Sequence, residues 1–228
     1  MTIQDAIVAN FNRTLPREEL QRILLDHPFW YGGGVSGMQW LASSEPATVK
    51  LASRIRGDLI GEPRAISRLD DYVLDLPDTV ELLTIVPSDS ISLGLERDEI
   101  ADLQRFARGY RVERAMHERD YARVRAYQDF LLPYEGHGEG SQVVVLQPAN
   151  GPMVPAFTTT DMAACFVETG NDTTRTAIEF ASVDGELLVG AIGPTMAQGV
   201  VVNFASAQAV GFDLNACRLV MGQRRGGT

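Results

Sequence analysis

Residue types that commonly carry out chemistry are few in this chain and lie far apart. The histidines are His27, His117 and His137, and the cysteines are Cys165 and Cys217. No histidine lies near a second histidine or a cysteine at the spacing of metal ligands, so the sequence predicts neither a metal site nor a bound cofactor. A Ser–His–acid or Cys–His site assembles in space without a fixed spacing along the chain, so a catalytic site of that kind stays an alternative.

Both cysteines lie in apolar surroundings. Cys165 is part of the apolar run 162–167, and Cys217 lies in the last apolar segment of the chain. A buried thiol behaves as a small hydrophobic group, so this setting predicts structural roles. Without an export signal the two thiols are expected to stay reduced, with no disulfide between them.

A glycine-rich segment directly follows Tyr31. Its residues Gly32, Gly34 and Gly37 formally match the dinucleotide-binding pattern G-x-G-x-x-G. That site also requires a helix immediately after the glycines and an acidic residue about 20 positions later. Residues 38–41 have the character of a strand instead. The segment therefore predicts a flexible turn between two strands.

The segment 69–99 is strongly acidic. It contains nine aspartate or glutamate residues and a single basic residue, Arg97. Acids at this density form either a solvated face or a docking surface for a basic protein, whose association they would accelerate. The spacing of the acids does not match a calcium-binding loop. The residues assigned to partner binding are Asp70, Asp71, Asp75, Asp78 and Glu81.

Composition excludes several classes of protein. The chain has 228 residues and a formal net charge of −10, whereas a nucleic-acid partner requires a basic surface. No apolar run approaches the roughly 18 residues of a membrane span. The first residues lack the basic and apolar regions of a signal peptide. We therefore expect a cytoplasmic protein with neither a nucleic-acid nor a membrane partner.

Two stretches of the chain, 82–96 and 199–214, share one layout. Each has an apolar run that predicts a strand, followed by a segment of alternating apolar and polar residues that predicts another. Gly94 and Gly211 align when the first stretch is shifted by 117 residues (211 − 94). This alignment suggests an internal duplication. The same shift aligns two further pairs, Pro77 with Pro194 and Trp40 with Phe157.

The longest helical pattern spans residues 97–131, and Gly109 predicts a kink or break within it. Its interleaved charges are typical of a solvated connecting helix. We therefore predict an α+β fold with two related mixed-sheet subdomains and flanking helices, joined by a long charged helix. The predicted segments are an N-terminal helical arm (1–28), a first copy (29–106), a helical connector and linker (107–142), a second copy (143–221) and a disordered tail (222–228).

The second half contains in order a strand at 143–146, the segment Pro152–Thr159, a short helix, and the segment Gly199–Asn203. This order resembles the N-terminal domain of SseB-like bacterial proteins. Phe204 occupies a position where the family has proline, and the first half has that proline at Pro87. The resemblance implies an α/β or α+β fold with a mixed sheet and no catalytic apparatus. It also implies a link to secretion systems and to immunity proteins that neutralise toxins.

Two functions from different classes follow. The first is a non-catalytic protein-binding protein, most concretely an immunity protein that binds a basic toxin or effector through the acidic segment 69–99. The alternative is an enzyme or small-molecule-binding protein whose site lies between the two copies. That site would use His27, the glycine segment and nearby acids.

Overall fold

The computed structural model describes residues 1–35, 37–54, 63–88, 91–136, 140–149, 151–169, 178–204, 206 and 208–222. It has the expected α+β character, with helices and mixed sheets. The helices are α1 (Ile3–Phe11), α2 (Arg17–Asp26), α3 (Glu45–Arg54), α4 (Leu69–Leu74), α5 (Arg97–His117), α6 (Tyr121–Ala126), α7 (Thr160–Thr169), α8 (Gly185–Gly190) and α9 (Leu214–Val220). The strands are β1 (Phe29–Val35), β2 (Met38–Ala42), β3 (Arg64–Ile66), β4 (Leu82–Ser88), β5 (Ile91–Glu96), β6 (Phe130–Glu135), β7 (Gln142–Val143), β8 (Val154–Ala156), β9 (Ile178–Val183), β10 (Gly199–Val202) and β11 (Val210–Asp213).

The chain divides into two compact units. The N-terminal unit is Met1–Ala107 and the C-terminal unit is Arg108–Thr228. The predicted tail beyond Gly222 lies outside the described residues, as does His137 in the predicted linker. The predicted segment boundaries stay predictions, because a division by compactness does not identify repeats.

The N-terminal unit contains a five-stranded mixed sheet in the order β3-β1-β2-β4-β5. Strands β2 and β4 are parallel, and the other neighbouring pairs are antiparallel. The central strands carry fully buried aliphatic side chains, such as Leu41, Leu83 and Ile85. Helix α2 packs against α1 and α4 and buries Leu24 and Leu25. The N-terminal helices are therefore an integral part of this unit's core.

The C-terminal unit contains two three-stranded sheets, β11-β10-β8 and β7-β6-β9. An antiparallel bridge between Leu131 and Phe157 connects β6 to the end of β8. Strands β8 and β10 are parallel, and β10 and β11 are antiparallel. Taken with the bridge, the strands follow the order β9-β6-β8-β10-β11. This is the order and direction of pairing found in the N-terminal unit.

The hairpins β4–β5 and β10–β11 pair their residues in the same register. Thr84 pairs with Gly94, and Val201 pairs with Gly211. The neighbouring pairs also coincide under the shift of 117 residues, and a helix begins directly after each hairpin. The two hairpins can therefore be compared residue by residue, because a slip of one residue would reverse every side chain. The duplication itself stays a prediction.

One predicted alignment is wrong by two residues. Leu41 pairs with Ile85, whereas Ala156 pairs with Val202, the residue that corresponds to Ile85. Strand β8 therefore corresponds to β2 at a shift of 115 residues (156 − 41). Phe157 corresponds to Ala42 and not to Trp40. Two additional residues between β8 and β10 account for the difference.

The long helix predicted over 97–131 is also corrected. Helix α5 ends at His117, and residues 130–135 form strand β6. Helix α5 passes through Gly109 without a break. A Cβ atom at Gly109 would lie 2.5 Å from Oε1 of Gln208 and 2.9 Å from Nδ2 of Asn203. The side-chain ends of Gln208 and Asn203, and not a kink, therefore leave no room for a Cβ atom at Gly109 unless they shift.

The cysteines differ from expectation in one respect. Cys217 is buried, and its burial raises the pKa of the thiol to about 11. Cys165, which was expected to be buried, lies on the exposed face of α7 because Ala163 and Phe166 face the core instead. Both cysteines are thiols, as expected.

Candidate binding groove of the N-terminal unit

A groove with a volume of about 660 Å³ opens in the N-terminal unit; we call it the N-terminal groove. One wall is formed by the sheet residues Tyr31, Gln39 and Arg64. Strands β1, β2 and β3 carry these residues side by side, because Tyr31 pairs with Arg64 in the sheet. The groove thus begins on the edge half of a rigid five-stranded sheet.

The second wall is helix α4 with its flanking residues. It contributes Arg68 before the helix, Asp71 and Tyr72 within it, and Asp75 directly after it. Residues three or four positions apart lie on the same face of a helix, which brings Arg68, Asp71 and Asp75 to the groove together. The opposite face buries Leu69 and Val73 in the core, where α4 packs against α2.

The two walls are joined by a side-chain hydrogen bond and aromatic contacts. The hydroxyl of Tyr72 donates to Oε1 of Gln39. The rings of Tyr31 and Tyr72 lie 6.2 Å apart, and the guanidinium of Arg64 lies 5.7 Å from the centroid of the Tyr31 ring. Burial raises the pKa of Tyr72, so its hydroxyl stays protonated at neutral pH.

The glycine segment shapes this site through strand geometry. Gly32 to Gly34 lie inside β1, not in a turn between strands as expected, and the pairing of β1 with β2 shifts register between Tyr31 and Gly33. Gly33 has a φ of 122°, which glycine adopts readily. Such a bulge re-aims neighbouring side chains, and Tyr31 is the side chain next to it. A strand follows the glycines, so the helix required for dinucleotide binding is missing there.

The predicted acidic residues are not all equally accessible. Asp70 is fully buried, so its carboxylate cannot contact a protein partner. Asp71 is half-buried in the N-terminal groove, and Asp75 is exposed at its rim. Asp78 and Glu81 are exposed and follow along the chain beyond the groove lining. The accessible acids therefore continue from one end of the groove.

The corresponding positions in the C-terminal unit are apolar. The registers of the two sheets match the strand residues of the groove to apolar residues. Helices α4 and α8 both have six residues, and their fourth positions are Tyr72 and Leu188. Leu132, Val154 and Leu188 are buried in the core of that unit, and Ala181 is partly buried against it. The polar groove is therefore not demanded by the fold, because the same framework closes well when these positions are apolar. The matched pairs are Tyr31 with Leu132, Gln39 with Val154, Arg64 with Ala181, and Tyr72 with Leu188.

Neither His27 nor His117 lines this groove. His27 is half-buried at the end of α2, with its ring 4.8 Å from that of Phe29, and burial lowers its pKa. The side chain of His117 is 80% exposed, at the end of α5. Among the described residues that line the groove there is no histidine. The groove therefore offers hydrogen-bonding and charged groups, and its chemistry suits binding.

Sequence reasoning found two residues of this groove, Asp71 and Asp75, but missed the tyrosines and arginines. Tyr31, Arg64 and Tyr72 belong to three different elements, and only the folded sheet brings them together. The hairpin alignment alone does not reveal their contrast with the second half, because the matched pairs are offset by different numbers of residues, such as 101 for Tyr31 and Leu132 (132 − 31) and 115 for Gln39 and Val154 (154 − 39).

No protein-family model matches the chain, and none of the curated proteins compared with it matches either. In the described part of the chain, no group of three or more His, Cys, Asp or Glu side chains could hold a metal ion. No helix within the same ranges combines the length and apolarity that crossing a membrane requires.

Proposed function

We propose that this chain is a non-catalytic protein-binding protein, whose binding site is the N-terminal groove with the exposed acids that follow it. The most concrete form of this function is an immunity protein that binds and neutralises a bacterial toxin or secretion-system effector. The similarity of the second half to SseB-like proteins is part of the proposal, as is descent of the two halves from one ancestral copy.

One observation carries the proposal. Tyr31, Gln39, Arg64 and Tyr72 surround an open groove in one unit, whereas the matched positions of the other hold three buried apolar residues and the partly buried Ala181. Giving up a closed apolar core costs stability, so a polar groove at this place indicates selection for binding. Tyrosine and arginine are also the residue types enriched at the energetic centres of protein interfaces.

The acids beside the groove favour a basic partner. Asp75, Asp78 and Glu81 are exposed, and the net charge of the chain is −10. Complementary charge at the rim of an interface accelerates association, and this acceleration becomes smaller as the salt concentration rises. The rim would therefore steer a basic protein, and the groove would hold it.

The experiment is a capture from extracts of the native host with two variants of equal net charge. One variant neutralises the proposed surface, and the other neutralises four exposed acids elsewhere. Both lose the same charge, so non-specific attraction falls equally in each. The surface variant is Asp71→Asn, Asp75→Asn, Asp78→Asn and Glu81→Gln, and the matched control is Glu18→Gln, Glu19→Gln, Asp129→Asn and Glu186→Gln.

We expect the wild type and the control to retain one basic protein that the surface variant loses. Co-expression with the wild type should then suppress the toxicity of that protein. If both variants lost the captured protein to the same extent, the proposed binding surface would be contradicted. The absence of any captured protein from a folded wild-type bait would contradict the protein-binding function.

A second candidate is a small-molecule-binding protein. The groove volume of about 660 Å³ lies within the range of roughly 300–1,000 Å³ that is usual for ligand pockets. The lining groups belong to the N-terminal unit and do not include His27, so this form of the alternative differs from the site expected from the sequence.

A further inference from the structure

Strand β3 lies at the edge of the N-terminal sheet and forms one side of the N-terminal groove. Among the described residues, β1 is the sole strand that pairs with β3, and no turn or loop hydrogen bond involves the backbone of residues 64–67. Arg64, Ala65 and Ser67 are exposed. The outer edge of β3 therefore presents main-chain N–H and C=O groups with which a further strand can pair.

The groove borders this main-chain edge and not one face of the sheet alone. Arg64 pairs with Tyr31, and Ile66 lies on the same face of the sheet two residues later. Ala65 lies between them and on the opposite face, yet all three residues of β3 line the groove. Residues on opposite faces of one strand can border the same groove only where it runs past the edge of that strand. The open main-chain groups of β3 are therefore accessible from the groove.

Helix α4, the second wall of the groove, matches β3 in length. Three residues of strand rise by about 10 Å, and the six residues of α4 rise by about 9 Å. The ring of Tyr31 links the two walls, since its centroid lies 5.7 Å from the guanidinium of Arg64 and 6.2 Å from the centroid of the Tyr72 ring. A strand added at β3 would direct alternate side chains toward the face of the sheet on which these rings lie. Such a groove fits an extended peptide, which pairs through its main chain and is selected through alternate side chains.

Two features define the length and the charge of the peptide that this edge accepts. Pro63 directly precedes β3 and has no N–H to donate, and the chain bends at Ser67. The paired part of the peptide is therefore short, about three to four residues. The exposed acids Asp75, Asp78 and Glu81 continue from one end of the groove, so a lysine or arginine beside the paired residues meets opposite charge.

We propose that the N-terminal groove binds an extended segment of the partner protein, which adds to the outer edge of β3 as a further strand of the sheet. This mode of binding rests on the protein-binding function proposed above. Main-chain hydrogen bonds to β3 hold the segment, and side chains that face Tyr31 and Tyr72 select it. A lysine or arginine next to the segment contacts the acidic rim.

The test uses short random peptides displayed on phage and selected against the full chain, so it needs no captured partner. The selected peptides should share a core of β-branched or aromatic residues beside a lysine or arginine. A synthetic copy of one such peptide, at saturation, should slow amide hydrogen exchange at the outer edge of β3 at least about tenfold. Strand β5, at the opposite edge of the sheet, is the internal control, and its exchange should not change.

Methylation of single backbone nitrogens in the peptide distinguishes strand addition from recognition by side chains alone. In an added strand, alternate residues direct their N–H groups toward β3, and the residues between direct theirs away. Methylation should therefore weaken binding at least about tenfold at every second residue of the core and change it little at the others. A uniform effect along the core would overturn the proposal.

Variants of the protein test the acidic rim. Asp75→Asn should weaken binding of the selected peptide about threefold at low salt, and this difference should disappear at high salt. Glu18→Gln neutralises an exposed acid on α2 and should leave the affinity unchanged. Equal effects of the two variants would overturn the contact between the basic residue and the rim.

Failure of strand addition is distinguishable from failure of the protein-binding function. Strand addition would be overturned if no peptide were enriched, or if a selected peptide left hydrogen exchange in β3 unchanged. A captured partner that binds without slowing exchange in β3 would also overturn it, and would leave the protein-binding function intact. Slowed exchange in β3 with a peptide, together with no captured partner, would support the strand-addition site and contradict the proposed function.

Discussion

The hydroxyl of Tyr72 donates a hydrogen bond to the side-chain oxygen of Gln39, and this bond joins helix α4 to strand β2. At the matching positions of the C-terminal unit, Leu188 and Val154 are fully buried apolar side chains. The same arrangement of strands and helices therefore holds a polar pair beside an open groove in the N-terminal unit and an apolar pair inside a closed core in the C-terminal unit.

Replacing Tyr72 with phenylalanine should destabilise the protein by about 1 kcal/mol, the usual net value of one such hydrogen bond. Gln39→Leu should have a similar cost. The double variant should cost less than the sum of the two, since each single change removes the same bond. Urea unfolding of the four proteins measures this coupling. Strict additivity would show that the bond contributes nothing to stability.

Three glycines should respond differently to alanine. At Gly185 a Cβ atom would collide with the backbone carbonyl oxygen of Val124, and this backbone atom cannot move aside easily. At Gly109 the obstacles are side-chain ends of Gln208 and Asn203, whereas Gly190 has open space around it. Ala has the higher helix propensity by about 1 kcal/mol, so Gly190→Ala should be neutral or stabilising.

Gly109→Ala should therefore cost about 1–3 kcal/mol, within the range for overpacking, and Gly185→Ala should cost more. Thermal unfolding of the three variants gives the order. Equal stability of Gly109→Ala and Gly190→Ala would contradict this order and would show that the side-chain ends of Gln208 and Asn203 move aside at little cost.

Asn203 should be difficult to replace. It is fully buried, has a φ of 54°, and its Oδ1 accepts a hydrogen bond of 2.9 Å from the backbone N–H of Thr158. Asn203→Ala removes the acceptor and leaves the N–H of Thr158 unsatisfied. It also places alanine in a left-handed conformation that this residue disfavours, so we expect the free energy of unfolding to fall by about 2–4 kcal/mol. Asn203→Gly should restore part of it by removing the conformational strain. Equal losses for both variants would show that the conformation contributes nothing.

His27 should make stability depend on pH in the mildly acidic range. Burial lowers its pKa below the ordinary value of 6.5 in the folded protein, so the unfolded chain binds a proton more readily. The contribution of the neutral imidazole is complete above pH 6.5 and is lost as the pH falls below that value. Replacing His27 with phenylalanine should flatten the stability profile between about pH 5 and 7. An unchanged slope would assign the dependence to other groups.

Much of the strand structure was predictable because local sequence patterns indicate it. The valine run 200–202 and the alternation at 210–214 gave the second hairpin, and their spacing gave its counterpart at 82–96. Strand β6 was missed because residues 130–135 directly follow a charged helical pattern and contain Pro133, which lowers strand propensity. Its two neighbours in the sheet, β7 and β9, supply the tertiary pairing that overrides this signal.

The candidate site was less predictable, for the same physical reason. Asp71 and Asp75 could be selected from charge density alone, but charge density also selected Asp70, which is fully buried. Helix α4 turns Asp70 toward the core and Asp71 toward the groove, and a six-residue helix is too short for a periodic pattern to reveal this. Tyr31 joins the site only through the pairing of β1 with β3.

The central claim is that the polar residues of the N-terminal groove serve binding and not folding. The most direct measurement gives this groove the residues of its apolar counterpart, through Tyr31→Leu, Gln39→Val, Arg64→Ala and Tyr72→Leu, and compares thermal stability with affinity for the captured partner. We predict a folded protein, at least as stable as the wild type, that no longer binds the partner. A folded variant that binds the partner with unchanged affinity would contradict the account.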